Sequence, residues 1–238
     1  MELTLKKIKK SYELPVLKEI DLELVGYKSI GIIGKSGCGK STLLRLLAGI
    51  EMADAGEITI NNISLDKKNL REYQNRIGMV FQNHNLFPHL SLIENISLIL
   101  EKRKGYEKEK AEKTGKDLLK QLHLEKEMYK KPSKVSGGQA QRASIARALS
   151  TNPQLIFMDE PTAALDPILT KEVLEAVLSL RQSGRHFIFV THEINFVKKF
   201  ADYVIFMNDG KIHEKGEVGI LDNPDTEELK KFLEHEQF

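Results

Sequence analysis

Ser29-Ile30-Gly31-Ile32-Ile33-Gly34-Lys35-Ser36-Gly37-Cys38-Gly39-Lys40-Ser41-Thr42 decides how the rest of this 238-residue chain is read. Ser29 to Ile33 is a short, almost wholly apolar run suited to a buried strand, and leucines at helical spacing follow from Lys40 to Ile50. Strand, glycine-rich loop, helix is the order a phosphate-binding loop requires, and Gly34 to Ser41 fits G-x-x-x-x-G-K-[ST]. The glycines let successive backbone N–H groups of Gly34, Lys35, Ser36, Gly37, Cys38 and Gly39 turn inward around phosphate oxygens. The start of the helix adds its positive end, and Lys40 brings a full charge to the β and γ phosphates of a nucleotide. Ser41, followed by Thr42, supplies a hydroxyl for Mg2+. Cys38 sits in this loop near a helix start, where a thiol's pKa tends to fall, so alkylation there is expected to block nucleotide binding.

Outward from the loop, Leu3 to Ile8, Leu17 to Leu24 and Glu57 to Ile63 alternate apolar and polar side chains, the pattern of half-buried strands in an antiparallel layer. From about Pro88 to Ser150 the pattern is helical, with a highly charged stretch from Glu101 to Lys131. After the turn at Asn152-Pro153, Leu155 to Met158 reads as a second buried strand. A helical Leu169 to Leu180 and a strand-like Phe187 to Val190 then follow the βαβ logic of a parallel sheet. Val204 to Met207, Asn208-Asp209-Gly210 and Lys211 to His213 read as a hairpin. A last helix is expected with Asp225 as N-cap and Glu228 three residues on. The predicted class is α/β: a P-loop NTPase core with a mainly parallel sheet, an N-terminal antiparallel β layer and an inserted helical subdomain. The core takes roughly residues 1–85 and 151–238 of a single domain, and the helical subdomain roughly 86–150.

Lys and Arg total 36 against 34 Asp and Glu, and acids are interspersed along the charged stretch, so a nucleic-acid partner is not expected. A single cysteine rules out an internal disulfide framework, and the apolar runs fall far short of the roughly 20 residues that span a bilayer. A cytoplasmic setting is expected, with any membrane role borrowed from a partner.

Leu155-Ile156-Phe157-Met158-Asp159-Glu160 delivers adjacent carboxylates to the C-terminal end of a strand, the edge where ligands gather in open parallel sheets. Asp159 is the natural partner of Mg2+, and Glu160 the natural group to polarise an attacking water. Upstream stands Val135-Ser136-Gly137-Gly138-Gln139, opening a strong helix-forming run; its serine and glycines make a second helix start able to receive a phosphate. This stretch resembles the signature of ABC ATPases, with Val135 where leucine is usual.

Other matches follow in that family's order. Gln82 looks like the residue that touches Mg2+ and water while hinging the helical part. Ala164-Leu165-Asp166 looks like the D-loop, with Asp166 speaking across a dimer. His192 looks like the histidine that contacts the γ-phosphate, and Tyr12 like the aromatic that stacks on adenine. Lys35 departs from the pattern where proline is common, and Gly26-Tyr27-Lys28 departs where an acid often follows the glycine.

The resemblance implies two copies clasping two ATP molecules head to tail, each signature closing over the other's nucleotide. It further implies permease subunits in a membrane, contacted near Leu86-Phe87, and a solute-binding protein acting indirectly, with the chain peripheral on the inner face of the cell membrane. Phe81 to His89 and Thr191 to Phe196 look most like ATPases of polar amino acid importers. A lipoprotein-release or cell-division ATPase is the alternative. A non-transport ABC ATPase would need a longer insertion before the signature.

Overall fold

The computed structural model describes residues 1–163, 165–180 and 184–236. In chain order the elements are β1 (Glu2–Ser11), β2 (Pro15–Val25), β3 (Ser29–Gly34), α1 (Lys40–Leu47), β4 (Ala55–Ile60), β5 (Ile63–Ser64) and α2 (Leu70–Gln74). There follow β6 (Ile77–Val80), α3 (Leu92–Lys104), α4 (Lys108–Gln121), α5 (Gly137–Ser150), β7 (Leu155–Asp159) and α6 (Pro167–Ser179). The chain ends with β8 (His186–Val190), α7 (Ile194–Phe200), β9 (Tyr203–Asn208), β10 (Lys211–Glu217) and α8 (Glu227–Glu236). They form two compact units, one of residues 1–74 with 186–238 and the other of 75–185.

In the first unit β2, β1, β4 and β5 lie in that order as an antiparallel sheet. Alternation buries Leu3 and Leu5, but strict alternation would next turn Lys7 inward. The register shifts between Leu5 and Ile8, with Lys7 at φ 50° and Glu19 at φ 62°, so that Ile8 is buried instead. The run Glu57 to Ile63, predicted as one strand, is two. Asn61 and Asn62 take φ of 48° and 64°, the left-handed pair of a tight hairpin, and fold Ser64 back against Thr59.

Buried on both faces, β3 pairs in parallel with β8 on one side and β9 on the other. Phe189 of β8 meets Phe196 and Phe200 of α7 edge-on at 5.3 and 5.4 Å, which seals that helix to the sheet. β9 and β10 form the predicted hairpin, turning through Asp209 and Gly210. At the last helix the N-cap is Thr226, not Asp225, because the buried Glu214 carboxylate takes the backbone N–H groups of both residues. Thr226 Oγ1 is thereby left to accept from Leu229 N at 3.3 Å.

In the second unit β6 and β7 are parallel neighbours. The chain between them is helical, as expected from about Pro88 to Ser150, and forms α3, α4 and α5. α3 opens on a capping box of Ser91 and Glu94 and stops at Gly105. α4 lies close enough to α3 that a Cβ at Gly115 would come within 2.9 Å of Ile93. α5 is buried along nearly its whole length, and its alanines let its neighbours pack closely. Among the described residues no helix is long and apolar enough to cross a membrane.

Candidate active site

The first unit carries the phosphate loop, His192 and Tyr12. Gly34 ends β3 at φ 145° with no room for a side chain: a Cβ would lie 2.1 Å from the Met207 carbonyl oxygen of β9. The loop is therefore seated directly on the neighbouring strand. Gly39 caps α1, and Lys40, 4% exposed, sets its Nζ 2.8 Å from Gly34 O and 2.9 Å from Lys35 O. These bonds hold the ammonium inside the loop. Ser41 follows in the first turn of α1, with Thr42 buried beside it. The β9–β10 turn braces the loop further, since Gly210 N donates to Cys38 O at 3.1 Å. The same Gly210 accepts from Lys18 N at 2.9 Å and leaves no space for a methyl group against Val16 O.

The expectation for Cys38 is reversed. Its thiol is buried, and burial pushes the pKa up by more than Lys40 and the neighbouring N–H groups pull it down. Helix position argues for a reactive thiolate; desolvation wins.

Ile32 pairs with Val190, so the parallel register carries Gly34 and His192 to the same C-terminal sheet edge. α7, anchored by its phenylalanines, fixes the turn in which His192 stands. Tyr12 projects from the end of β1 with 56% of its surface exposed, its hydroxyl bonded to Glu51 and Lys10 Nζ 5.6 Å from the ring centroid.

The second unit carries the other candidates. Val80 pairs with Met158, so Gln82 and Glu160, each two residues further on, leave one edge of adjacent parallel strands together. Asp159 is buried at the end of β7, while Glu160 turns out at φ 43°, a left-handed conformation unusual for a residue with a side chain. Asp159 is thus buried and Glu160 partly exposed. Ser136 is the N-cap of α5 in a full capping box: its Oγ accepts from Gln139 N at 3.2 Å, and Gln139 Oε1 accepts from Ser136 N at 3.0 Å. Ser136 and Gly137 are exposed at this helix start, behind Val135. A Cβ at Gly138 would meet Leu169 Cβ at 3.1 Å, so that glycine also lets α6 approach. Asp166 caps α6, accepting from Ile168 N and Leu169 N at 3.0 Å each. Ala164, the first residue of that motif, lies outside the described residues.

The candidate metal ligands Ser41, Asp159 and Gln82 offer oxygen atoms alone. Among the described residues no three His, Cys, Asp or Glu side chains gather as a metal cage. This donor set suits a hard cation that brings most of its ligands as water and phosphate. No motif assigns His84, Gln141 or Arg147 a part, yet Gln141 bonds Phe81 O and the His84 ring, and Arg147 bonds His84 O, so that they flank Gln82. Nothing in the sequence singles out Gln141 and Arg147 among the polar residues of α5, which also carries Gln139, Arg142, Ser144 and Ser150.

A family profile described as ABC transporter matches residues 17–163. The chain belongs to the ABC transporter family. It is 41% identical over 223 residues to the glutamine transport ATP-binding protein GlnQ of Escherichia coli K12, covering 92% of this chain and 93% of that protein. With the glutamate/aspartate import ATP-binding protein GltL of the same strain identity is 41% over 239 residues, covering 97% and 98%. The arginine transport ATP-binding protein ArtP of Haemophilus influenzae is 39% identical over 226 residues, covering 92% and 93%. Among solved structures, the dimeric post-hydrolysis state of the cassette MJ0796 bound to ADP and Pi superposes with a TM-score of 0.82. Sequence identity there is 33%, over 91% of this chain and 98% of that one. As a member of the ABC transporter family, this chain is an ATPase built on the α/β fold expected of it.

Proposed function

We infer that this chain is the ATP-hydrolysing subunit of an ABC importer for polar amino acids, acting through permease subunits at the inner face of a membrane. The observation that carries the reading is the presence of two phosphate-receptive helix starts in one chain. Gly39-Lys40 and Ser136-Gly137 both offer N-terminal N–H groups, while a single nucleotide site needs one such end. Pairing of two copies gives the second a use, each Ser136 reaching the nucleotide of the other copy. The names of relatives about 40% identical over more than nine-tenths of the chain support amino acids as cargo and favour them over lipoprotein release.

In this reading the loop amides and Lys40 bind and neutralise the phosphates, and Tyr12 offers an exposed ring to adenine. Glu160 takes the proton of the attacking water, and Gln82 orients that water. His192 donates toward the γ-phosphate, and Ser136 of the second copy does so from the other side. Asp159, Ser41 and Gln82 would hold Mg2+, which would spread the phosphate charge. ATP binds the paired state more tightly than the open one, and that difference is what can move attached subunits. The exposed Phe87 is the proposed contact for them.

Purifying the chain with its permease partners, reconstituting them with the cognate binding protein and titrating amino acids tests the cargo. A polar amino acid is expected to raise ATP turnover. Stimulation by a lipoprotein and by no amino acid would move the chain to the release class.

A further inference from the structure

Between β6 and α3, residues 81–87 form neither helix nor strand, so their backbone carbonyls need partners from elsewhere. Helix α5 supplies them. Gln141 is fully buried on that helix, with Nε2 3.4 Å from Phe81 O and Oε1 2.5 Å from His84 Nδ1. Further along, Arg147 donates through NH1 to Asn85 O at 2.6 Å and through NH2 to His84 O at 3.1 Å, bridging a turn in which Asn85 takes φ 51°. Side chains of one helix thus hold the carbonyls on both flanks of Gln82, and the far end of the segment is tied by Asn95, which accepts from Phe87 N at 2.7 Å.

We propose that Gln141 and Arg147 are positioning residues that fix Gln82 and the segment after it to the helix that begins at Ser136, so that the two shift as one body. The bonds of both side chains go to this segment. The proposal rests on the reading of Gln82 and Ser136 given above, and it deepens that reading by naming what carries displacement from one to the other. A planar guanidinium spanning two successive carbonyls is a stiff link, which an ammonium on a flexible stem reproduces only in part.

The test compares ATP turnover of the full chain carrying Arg147→Met, Arg147→Lys, Gln82→Ala and the pair Arg147→Met/Gln82→Ala. Arg147→Met is expected to lower kcat about tenfold with KM for ATP within about twofold, and to add less than about twofold once Gln82 is absent, the mark of coupled sites. Arg147→Lys recovers part of the loss. An equal loss in both backgrounds overturns the proposal, since Arg147 would then act on the fold at large. Hydrogen exchange on the same proteins reads the link without turnover. The Phe87 amide, bonded to Asn95 Oδ1, should lose protection at least about tenfold in Arg147→Met while the amides of β7 keep theirs. Unchanged exchange at Phe87, or equal loss in β7, also overturns it. Should Arg147→Met not fold, Arg147→Lys and Gln141→Leu are compared in its place. If Gln82→Ala alone keeps full turnover, the role given to Gln82 falls, and the exchange result still decides whether α5 holds the segment.

Discussion

Glu160 leaves β7 in a left-handed turn that costs a side-chain-bearing residue about 1 kcal/mol or more, and a strand end has cheaper ways to stop. The strain is consistent with a carboxylate aimed by its backbone. Glu160→Gln keeps the shape and removes the base, so kcat should fall at least about 100-fold with ATP binding intact, measured by phosphate release and nucleotide titration. Near-parent turnover would take Glu160 out of the role. Cys38 makes the opposite point about what single residues disclose. Its sequence position fits a lowered pKa, but the packing of α1 and the β9–β10 turn removes water, and that effect is invisible without the fold. With the thiol's pKa raised above its ordinary 9.0, thiolate is scarce at neutral pH. Labelling should be slow there and should accelerate as pH climbs past 9. Fast stoichiometric labelling of native protein at pH 7 would contradict this.

Elements were legible where pattern and length agreed. β3, β7 and the β9–β10 hairpin stand where apolar runs and Asp209-Gly210 put them. β6, only four residues of Ile-Gly-Met-Val, and α7, seven residues without a capping side chain, carry too little periodicity to be found in advance. The cap of α8 stands one residue beyond Asp225 because its deciding partner, Glu214, lies on another element. Burial pushes the Glu214 carboxyl up, but the Thr226 hydroxyl, the two N–H groups and Lys230 outweigh it and hold the pKa below the ordinary 4.5. A depressed folded-state pKa means this contribution is complete above the unfolded value and disappears as pH falls through the folded one. Glu214→Gln should therefore cost about 1–3 kcal/mol in urea unfolding at pH 7, and the gap to the parent should narrow well below pH 4.5. Thr226→Ala should cost about 1 kcal/mol by the same measurement.

For the molecule as a whole, the order of the motifs along the chain told more than any one of them. A phosphate loop alone leaves the class of NTPase open, and a Ser-Gly-Gly turn alone is an ordinary turn. Their sequence, with Asp159-Glu160 after both, excludes most alternatives before any coordinate is known. What order could not reveal is how α5 serves two neighbours at once, through Gly138 against α6 and through Gln141 and Arg147 on the segment after β6, because such contacts join residues remote in the chain. If paired copies are the working state, ATP-loaded Glu160→Gln protein should show twice the monomer mass by light scattering and return to one on removal of nucleotide. A strictly monomeric result at high concentration, with the permease subunits also failing to bring two copies together, would end the reading.

The Asp209-Gly210 turn has the outward marks of a harmless tip: a polar pair at the end of a hairpin, far along the chain from the phosphate loop. Yet Gly210 is bonded to Cys38 and to Lys18, and it has no room for so much as a methyl group. For anyone engineering this protein, an epitope or fluorophore spliced into that hairpin would act as a remote wedge under the nucleotide site.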